Sequence, residues 1–178
     1  MGSEAELEAV LSVARLMCLA ARTAPKSRGI DNIVTCIVKG EDLKRLADKM
    51  REMAEQWGEY FRRDAGSVEA SDAVVLIGVR GMKGVGMNCG ACGYKTCQEK
   101  EAKARVDTAY RGPVCVMEAI NLGIAVSSAA KIASMMNVDN RIMFSAGSAA
   151  RALGMIDADV VLAIPLSARG KNIYFDRK

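Results

Sequence analysis

The chain has 178 residues, 51% apolar and 26% charged, with a net charge of +4 and no histidine. That length suffices for one domain with a substantial core, or for a domain carrying an inserted module, and the composition is that of an ordinary soluble globular protein. Without histidine there is no Ser–His–Asp or Cys–His catalysis and no His-ligated metal. Aromatics at 4% and the lack of a long Lys/Arg block argue against a nucleic-acid partner.

The first residues, Met-Gly-Ser-Glu-Ala-Glu-Leu, are acidic and unlike a signal sequence, so a cytoplasmic location is expected. Residues 5–21 place Leu7, Val10, Leu11, Ala14, Met17 and Cys18 at helical spacing, and the helix is expected to stop before Ala24-Pro25. A basic turn follows, Pro25-Lys26-Ser27-Arg28-Gly29, readable either as a solvated turn or as an anion site. Residues 32–38 are β-branched and predict a short buried strand carrying Cys36. Residues 41–63 predict one long amphipathic helix with Leu43, Leu46, Met50 and Trp57 on its apolar face; 65–71 read as a connection. Residues 73–79, Ala-Val-Val-Leu-Ile-Gly-Val, predict a central strand.

Beyond a glycine-rich loop at 81–97, a helix is predicted over 96–107 and one or two helices over 115–136. The apolar stretch 119–136 is interrupted by Asn121, Ser127, Ser128 and Lys131, which predicts a packed helix and no membrane span. Asp139-Asn140-Arg141 reads as a helix cap with a surface charge or as an interface ion pair, and a helix is expected from Ser145. Residues 159–165 predict a third strand, and the tail 171–178 a fourth strand or an arm.

Four cysteines stand apart. Cys89, Cys92, Cys97 and Cys115 follow the spacing C-x2-C-x4-C-x17-C, with Gly84, Gly86, Gly90 and Gly93 around them. Thiolates this close are expected to converge on one point, and four of them without histidine suit a [4Fe–4S] cluster. Zinc is the rival, but a structural four-cysteine zinc site usually divides into two close pairs, whereas here the fourth ligand is distant. Glycine lets the backbone turn its N–H groups toward sulfur. Cys18 and Cys36 fall on apolar positions and read as core.

The run Cys-Gly-Ala-Cys-Gly-Tyr-Lys-Thr-Cys with its distant partner resembles the four-cysteine cluster domain of RnfB-type electron-transport subunits and of corrinoid iron–sulfur proteins. In that family the four cysteines hold a [4Fe–4S] cluster, which implies the same for Cys89, Cys92, Cys97 and Cys115. The flanks are similar to FMN-dependent nitroreductases. The matching pieces are Ala-Ala-Arg-Thr-Ala-Pro-Lys-Ser at 20–27, the strands at 33–38 and 73–79, the stretch 123–129 and Val-Leu-Ala-Ile-Pro-Leu at 161–166. The resemblance implies an α/β (α+β) fold with a mixed, mostly antiparallel sheet flanked by helices. It describes a single nitroreductase-like domain over 1–178 with an inserted iron–sulfur module at 81–115, paired as a homodimer.

The nitroreductase resemblance also implies FMN, with Ser27 donating to it and Lys26, Arg28, Lys171 or Arg177 holding its phosphate. The chain departs from that family in lacking an arginine-serine motif before Arg22 and in having Gly29 where asparagine is usual. As a whole it resembles uncharacterised prokaryotic ferredoxin-domain proteins, on the phrases at 21–32, 138–147 and 170–177 together with the cysteine module. The expected function is electron transfer to a redox partner protein or small-molecule acceptor, with a flavin as the two-electron centre. The alternatives are a cluster-only carrier and a structural zinc protein.

Overall fold

The computed structural model describes residues 3–175. Helix α1 (Glu4–Thr23) starts at Ser3, whose hydroxyl accepts from Glu6 N while the Glu6 carboxylate accepts from Ser3 N, a reciprocal cap. A 3₁₀ turn (Ser27–Gly29) leads to strand β1 (Ile33–Val38). The next two elements are α2 (Glu41–Trp57) and α3 (Tyr60–Glu69), where one helix over 41–63 is expected. The break is at Gly58, which takes φ 101 while its N–H caps Ala54 O. Only glycine adopts such a φ without strain. Residues 65–69, expected as connection, are helical because Phe61, Ala65 and Val68 form a fully buried stripe.

Strand β2 (Ala73–Val79) is buried throughout. Beyond it come α4 (Cys97–Glu101) and a small hairpin of β3 (Val106–Asp107) and β4 (Arg111–Gly112). The helix expected over 96–107 is cut short because Asp107 is drawn into the hairpin. Arg111 and Arg151 both hold its carboxylate, and Arg151 also donates to Thr108 O and Ala109 O. Then come α5 (Val116–Met135), β5 (Asp139–Asn140), α6 (Phe144–Ala152) and β6 (Val160–Ser167).

The main sheet has the order β1-β2-β6-β5, and every pair is antiparallel. The fourth strand is therefore β5; the tail makes no strand among its described residues. Asp139 and Asn140 lie in β5 and cap no helix, and Arg141 donates to Tyr174 O at 2.9 Å, holding the tail.

The two-residue period of β2 and β6 divides the core. Val74, Leu76, Val161 and Ala163 face α2, α3 and α6. Val75, Ile77, Val79, Ile164 and Leu166 face α1 and α5. On α5, Leu122, Ala125, Val126, Ala129 and Ala133 are buried against the sheet and α1. By length and composition α5 could cross a membrane, but this stripe is occupied by packing. The register sets Ile33, Val79 and Val160 at one end of the sheet, and Val38, Val74 and Pro165 at the other. The cysteine segment emerges at the Val79 end.

Candidate functional site

Residues 81–115 form an excursion whose ends meet: Cys115 N donates to Gly81 O at 2.8 Å. Asp159, just before β6, anchors its start by accepting from Met82 N at 3.1 Å. All four predicted cysteines line one small cavity of about 20 Å³ in this excursion. Cys89 is exposed at its edge, Cys92 and Cys97 are half-buried, and Cys115 is buried; none of the six cysteines is in a disulfide. Cys18 and Cys36 lie elsewhere, each packed against one of the two cores, and burial raises both thiols above the ordinary range.

Local backbone chemistry explains the convergence. Gly90 and Gly93 take φ of 75° and 82° around a turn closed by Gly93 N to Gly90 O at 2.9 Å, which brings Cys89 and Cys92 to one side. Cys97 is the first residue of α4. Its N–H donates to the Asn88 side chain at 2.9 Å, and Thr96 caps the helix through Glu99 N. Gly84 cannot be replaced in place, because a Cβ there would lie 2.9 Å from Cys97 Sγ.

Cys115 is the N-cap of α5, at the positive end of a 20-residue helix. Burial raises its pKa, but N–H donors from Val85, Glu118 and Met117 and the contact with the Cys92 thiol outweigh it, so the thiol lies below its ordinary value. Val116 N donates to Cys92 Sγ at 3.2 Å. The donor set is thus four thiols, two of which, Cys92 and Cys115, have N–H groups aimed at sulfur, and this chemistry fits an iron–sulfur cluster. Among the described residues no group of three or more His, Cys, Asp or Glu side chains is arranged to hold a metal ion.

Lys100 also lines the cavity and is 1% exposed. Lysine is rarely buried so fully without a carboxylate, yet among the described residues its ammonium donates only to the carbonyls of Gly81 and Met82. Glu118, fully buried, is held by the side-chain amides of Asn32 at 2.6 Å and Asn121 at 3.0 Å. Sequence reasoning overlooked both residues. Each stands three positions after a ligand candidate, Cys97 or Cys115, on the same helix face, and that spacing was the available signal.

The expected flavin contacts are engaged with the protein itself. Lys26 has a side chain only 6% exposed; its ammonium donates to Ala21 O, Arg22 O and Ala24 O at the end of α1 and lies 3.8 Å from Asp31. Ser27 donates to Asn121 through N–H at 2.9 Å and hydroxyl at 3.1 Å. Arg28, in the left-handed region at φ 57, donates to Val85 O at 2.9 Å. That residue in turn supplies an N–H to Cys115. The basic turn therefore braces the cysteine module. Lys171 follows β6 at the other end of the sheet, next to Asn172, which bonds Asp139. Within one protomer it is not brought together with Lys26, Ser27 or Arg28. Arg177 lies outside the described residues.

Beside the thiol cavity, across the Met82–Gly84 backbone, is an open polar cleft of about 480 Å³ that includes Asn32, Lys83, Glu101, Arg105 and Asp159.

A Vibrio harveyi NADPH:FMN oxidoreductase complexed with NAD+ aligns with 94% of this chain at a TM-score of 0.53 and 13% identity; this chain spans 63% of its length, under two thirds. A putative nitroreductase from Desulfovibrio desulfuricans, in complex with FMN, aligns at a TM-score of 0.55 and 12% identity over 94% of this chain and 78% of its own. A BluB-like flavoprotein from Clostridium difficile aligns at a TM-score of 0.55 and 14% identity over 94% and 84%. These likenesses establish a nitroreductase-like fold.

In sequence, an uncharacterized protein of Archaeoglobus fulgidus is 49% identical over 170 residues, 96% of this chain and 92% of its own length. The profile of a family described as uncharacterized protein containing a ferredoxin domain matches residues 111–177, a stretch that includes Cys115 but not the other three cysteines. The near-complete alignment places the chain in one family with this uncharacterized archaeal protein, and its residues 111–177 resemble the ferredoxin-domain family of that profile.

Proposed function

We propose that this protein is an electron carrier that holds one [4Fe–4S] cluster on Cys89, Cys92, Cys97 and Cys115. The observation that carries the reading is the convergence of these four thiols on one cavity. The ferredoxin-domain family supports it. When bound, the cluster supplies reversible one-electron chemistry. The chain's own residues do the rest. Val85, Met117 and Glu118 direct N–H groups at Cys115, which favours its thiolate form, and Val116 directs one at Cys92. Gly84 leaves room beside Cys97. Buried Lys100 places a positive charge at the cavity, where anionic thiolates gather.

The test is anaerobic reconstitution with iron and sulfide. Four iron atoms per chain and visible absorption that bleaches on reduction are expected. Cys115→Ala should lose most of the iron, while Cys18→Ala and Cys36→Ala should retain it. Full iron in Cys115→Ala would refute the four-ligand assignment, and a colourless protein with bound zinc would return the module to a structural role.

A second reading adds FMN, favoured by the fold shared with a structure in complex with FMN. Among the described residues nominated for its phosphate, Lys26 and Arg28 bond the chain's own carbonyls, and Lys171 stands toward the other end of the sheet within one protomer. Titration of the protein with FMN, read by fluorescence quenching, decides between the readings. No saturable quenching at about 100 µM FMN leaves the cluster as the sole redox centre.

A further inference from the structure

The +4 charge of this chain is concentrated in one place. Residues 80–111 carry seven cations and three acids, net +4, so the rest of the chain is neutral. Ion pairing sharpens the contrast. On α2 and α3 the cations Lys44, Arg45, Lys49, Arg51, Arg62 and Arg63 each hold a carboxylate. In the module the acids of α4 are spent on backbone: Glu99 accepts from Lys95 N and Glu101 from Gly84 N.

Lys83, Lys95, Lys103 and Arg105 are exposed and, among the described residues, make no ion pair. Two of them stand at Tyr94 on the wall of the thiol cavity, and two border the cleft next to it. Lys103 stands 5.6 Å over the Tyr94 ring, which lines the cavity, and Lys95 is the next residue. Lys83 and Arg105 border the adjoining cleft beside Gly84. At the edge of the cavity Cys89 reaches solvent, and Met87, 47% exposed, offers an apolar contact.

We propose that this basic collar is the docking surface for an acidic one-electron carrier protein; the proposal rests on the cluster reading above. One electron leaves the reduced centre of this chain, oxidising it by one, and enters the carrier, reducing it by one, with no proton or group passed between them. A complementary field raises encounter rates by about 10- to 10³-fold at low salt. The collar lies on the same face as the edge where Cys89 reaches solvent, so the same field selects the productive orientation.

The experiment mixes chemically reduced, iron-loaded protein with two high-potential protein acceptors of opposite charge, acidic plastocyanin and basic cytochrome c. Salt is varied from about 0.02 to 0.5 M, across which the screening length falls from well over 10 Å to under 5 Å. The plastocyanin rate is expected to fall about tenfold or more with salt, while the cytochrome c rate rises. The triple variant Lys83→Glu, Lys103→Glu and Arg105→Glu should lose about tenfold with plastocyanin at low salt while keeping its iron and visible spectrum. If that variant loses iron, the single variants Lys83→Gln and Lys103→Gln replace it, each expected to lose about twofold. Salt-insensitive rates with both acceptors, or variants of unchanged rate and full iron, overturn the docking surface and leave the cluster standing. A wild-type protein that takes up no iron removes the cluster reading and the docking role with it. Saturable binding of a DNA duplex at about 0.15 M salt would assign the collar to nucleic acid and overturn the proposal.

Discussion

Lys100 shows how much one side chain can decide in a loop without regular structure. Its ammonium ties Gly81 O and Met82 O together behind the cavity. Through them it fixes the segment that leads into Val85, a donor to Cys115. Replacing it with methionine keeps the aliphatic stem but leaves Met82 O without its donor, while Gly81 O keeps the Cys115 N–H. A buried acceptor left unpaired costs about 1–3 kcal/mol. Lys100→Met is expected to lower the urea stability of the iron-free protein by about that amount, and to weaken iron retention more than Lys103→Met, whose ammonium is exposed. Equal stability of the two variants would show that the Lys100 bonds contribute nothing net. The same logic applies to Arg28: its left-handed backbone costs about 1–2 kcal/mol, offset by the bond to Val85 O.

At the scale of elements, the tightest approach is α6 on β6. A Cβ at Gly147 would lie 2.1 Å from Val161 O, a backbone atom that cannot rotate away. Gly147→Ala must push the helix off the strand, and overpacking of this kind typically costs about 1–3 kcal/mol. A fall of at least that size in the free energy of unfolding is expected. An unchanged denaturation midpoint would mean that α6 slides freely along the sheet. The contact matters for the site, because α6 also carries Arg151, which holds the hairpin of the cysteine module through Asp107, Thr108 and Ala109.

For the whole molecule, two outcomes are expected. The first concerns alkaline pH. Burial raises the hydroxyl pKa of Tyr110 and Tyr174 above the ordinary value near 10, with Tyr110 donating to Val161 O and Tyr174 paired with Ser71. A folded value above the unfolded one means that this contribution is fully present below about pH 10 and is lost as pH rises toward the folded value. Thermal stability should fall above about pH 10, and less steeply in Tyr110→Phe. Identical slopes would place the loss elsewhere.

The second outcome concerns assembly. Leu16, Leu19, Met135 and Met136 stay 44%, 58%, 65% and 54% exposed along the groove between α1 and α5, an apolar face of the kind that marks association. We expect a homodimer through this face. Leu19→Glu with Met135→Glu should yield monomers by sedimentation, and a wild-type monomer at micromolar concentration counts against pairing.

Much of this was legible in one dimension. The strands at 33–38, 73–79 and 159–165 were readable because β-branched runs carry their own signal, and the cysteine spacing singled out the four thiols that line one cavity because no other thiol grouping in the chain is that dense. Other features depended on distant partners. The break at Gly58 needed a backbone angle, and the short α4 needed Arg151 to capture Asp107 from across the fold. The edge strand β5, two residues long, exists only because β6 presents open hydrogen bonds to it. The basic turn at 26–28 looks like an anion site when read alone. Tertiary structure turned it into a brace for the cysteine module, since Asn121 and Val85 lie where its donors point. Sequence by itself determined which residue types could do redox chemistry. Their arrangement around a buried lysine, under a collar of unpaired cations, was decided only by packing that joins residues far apart along the chain.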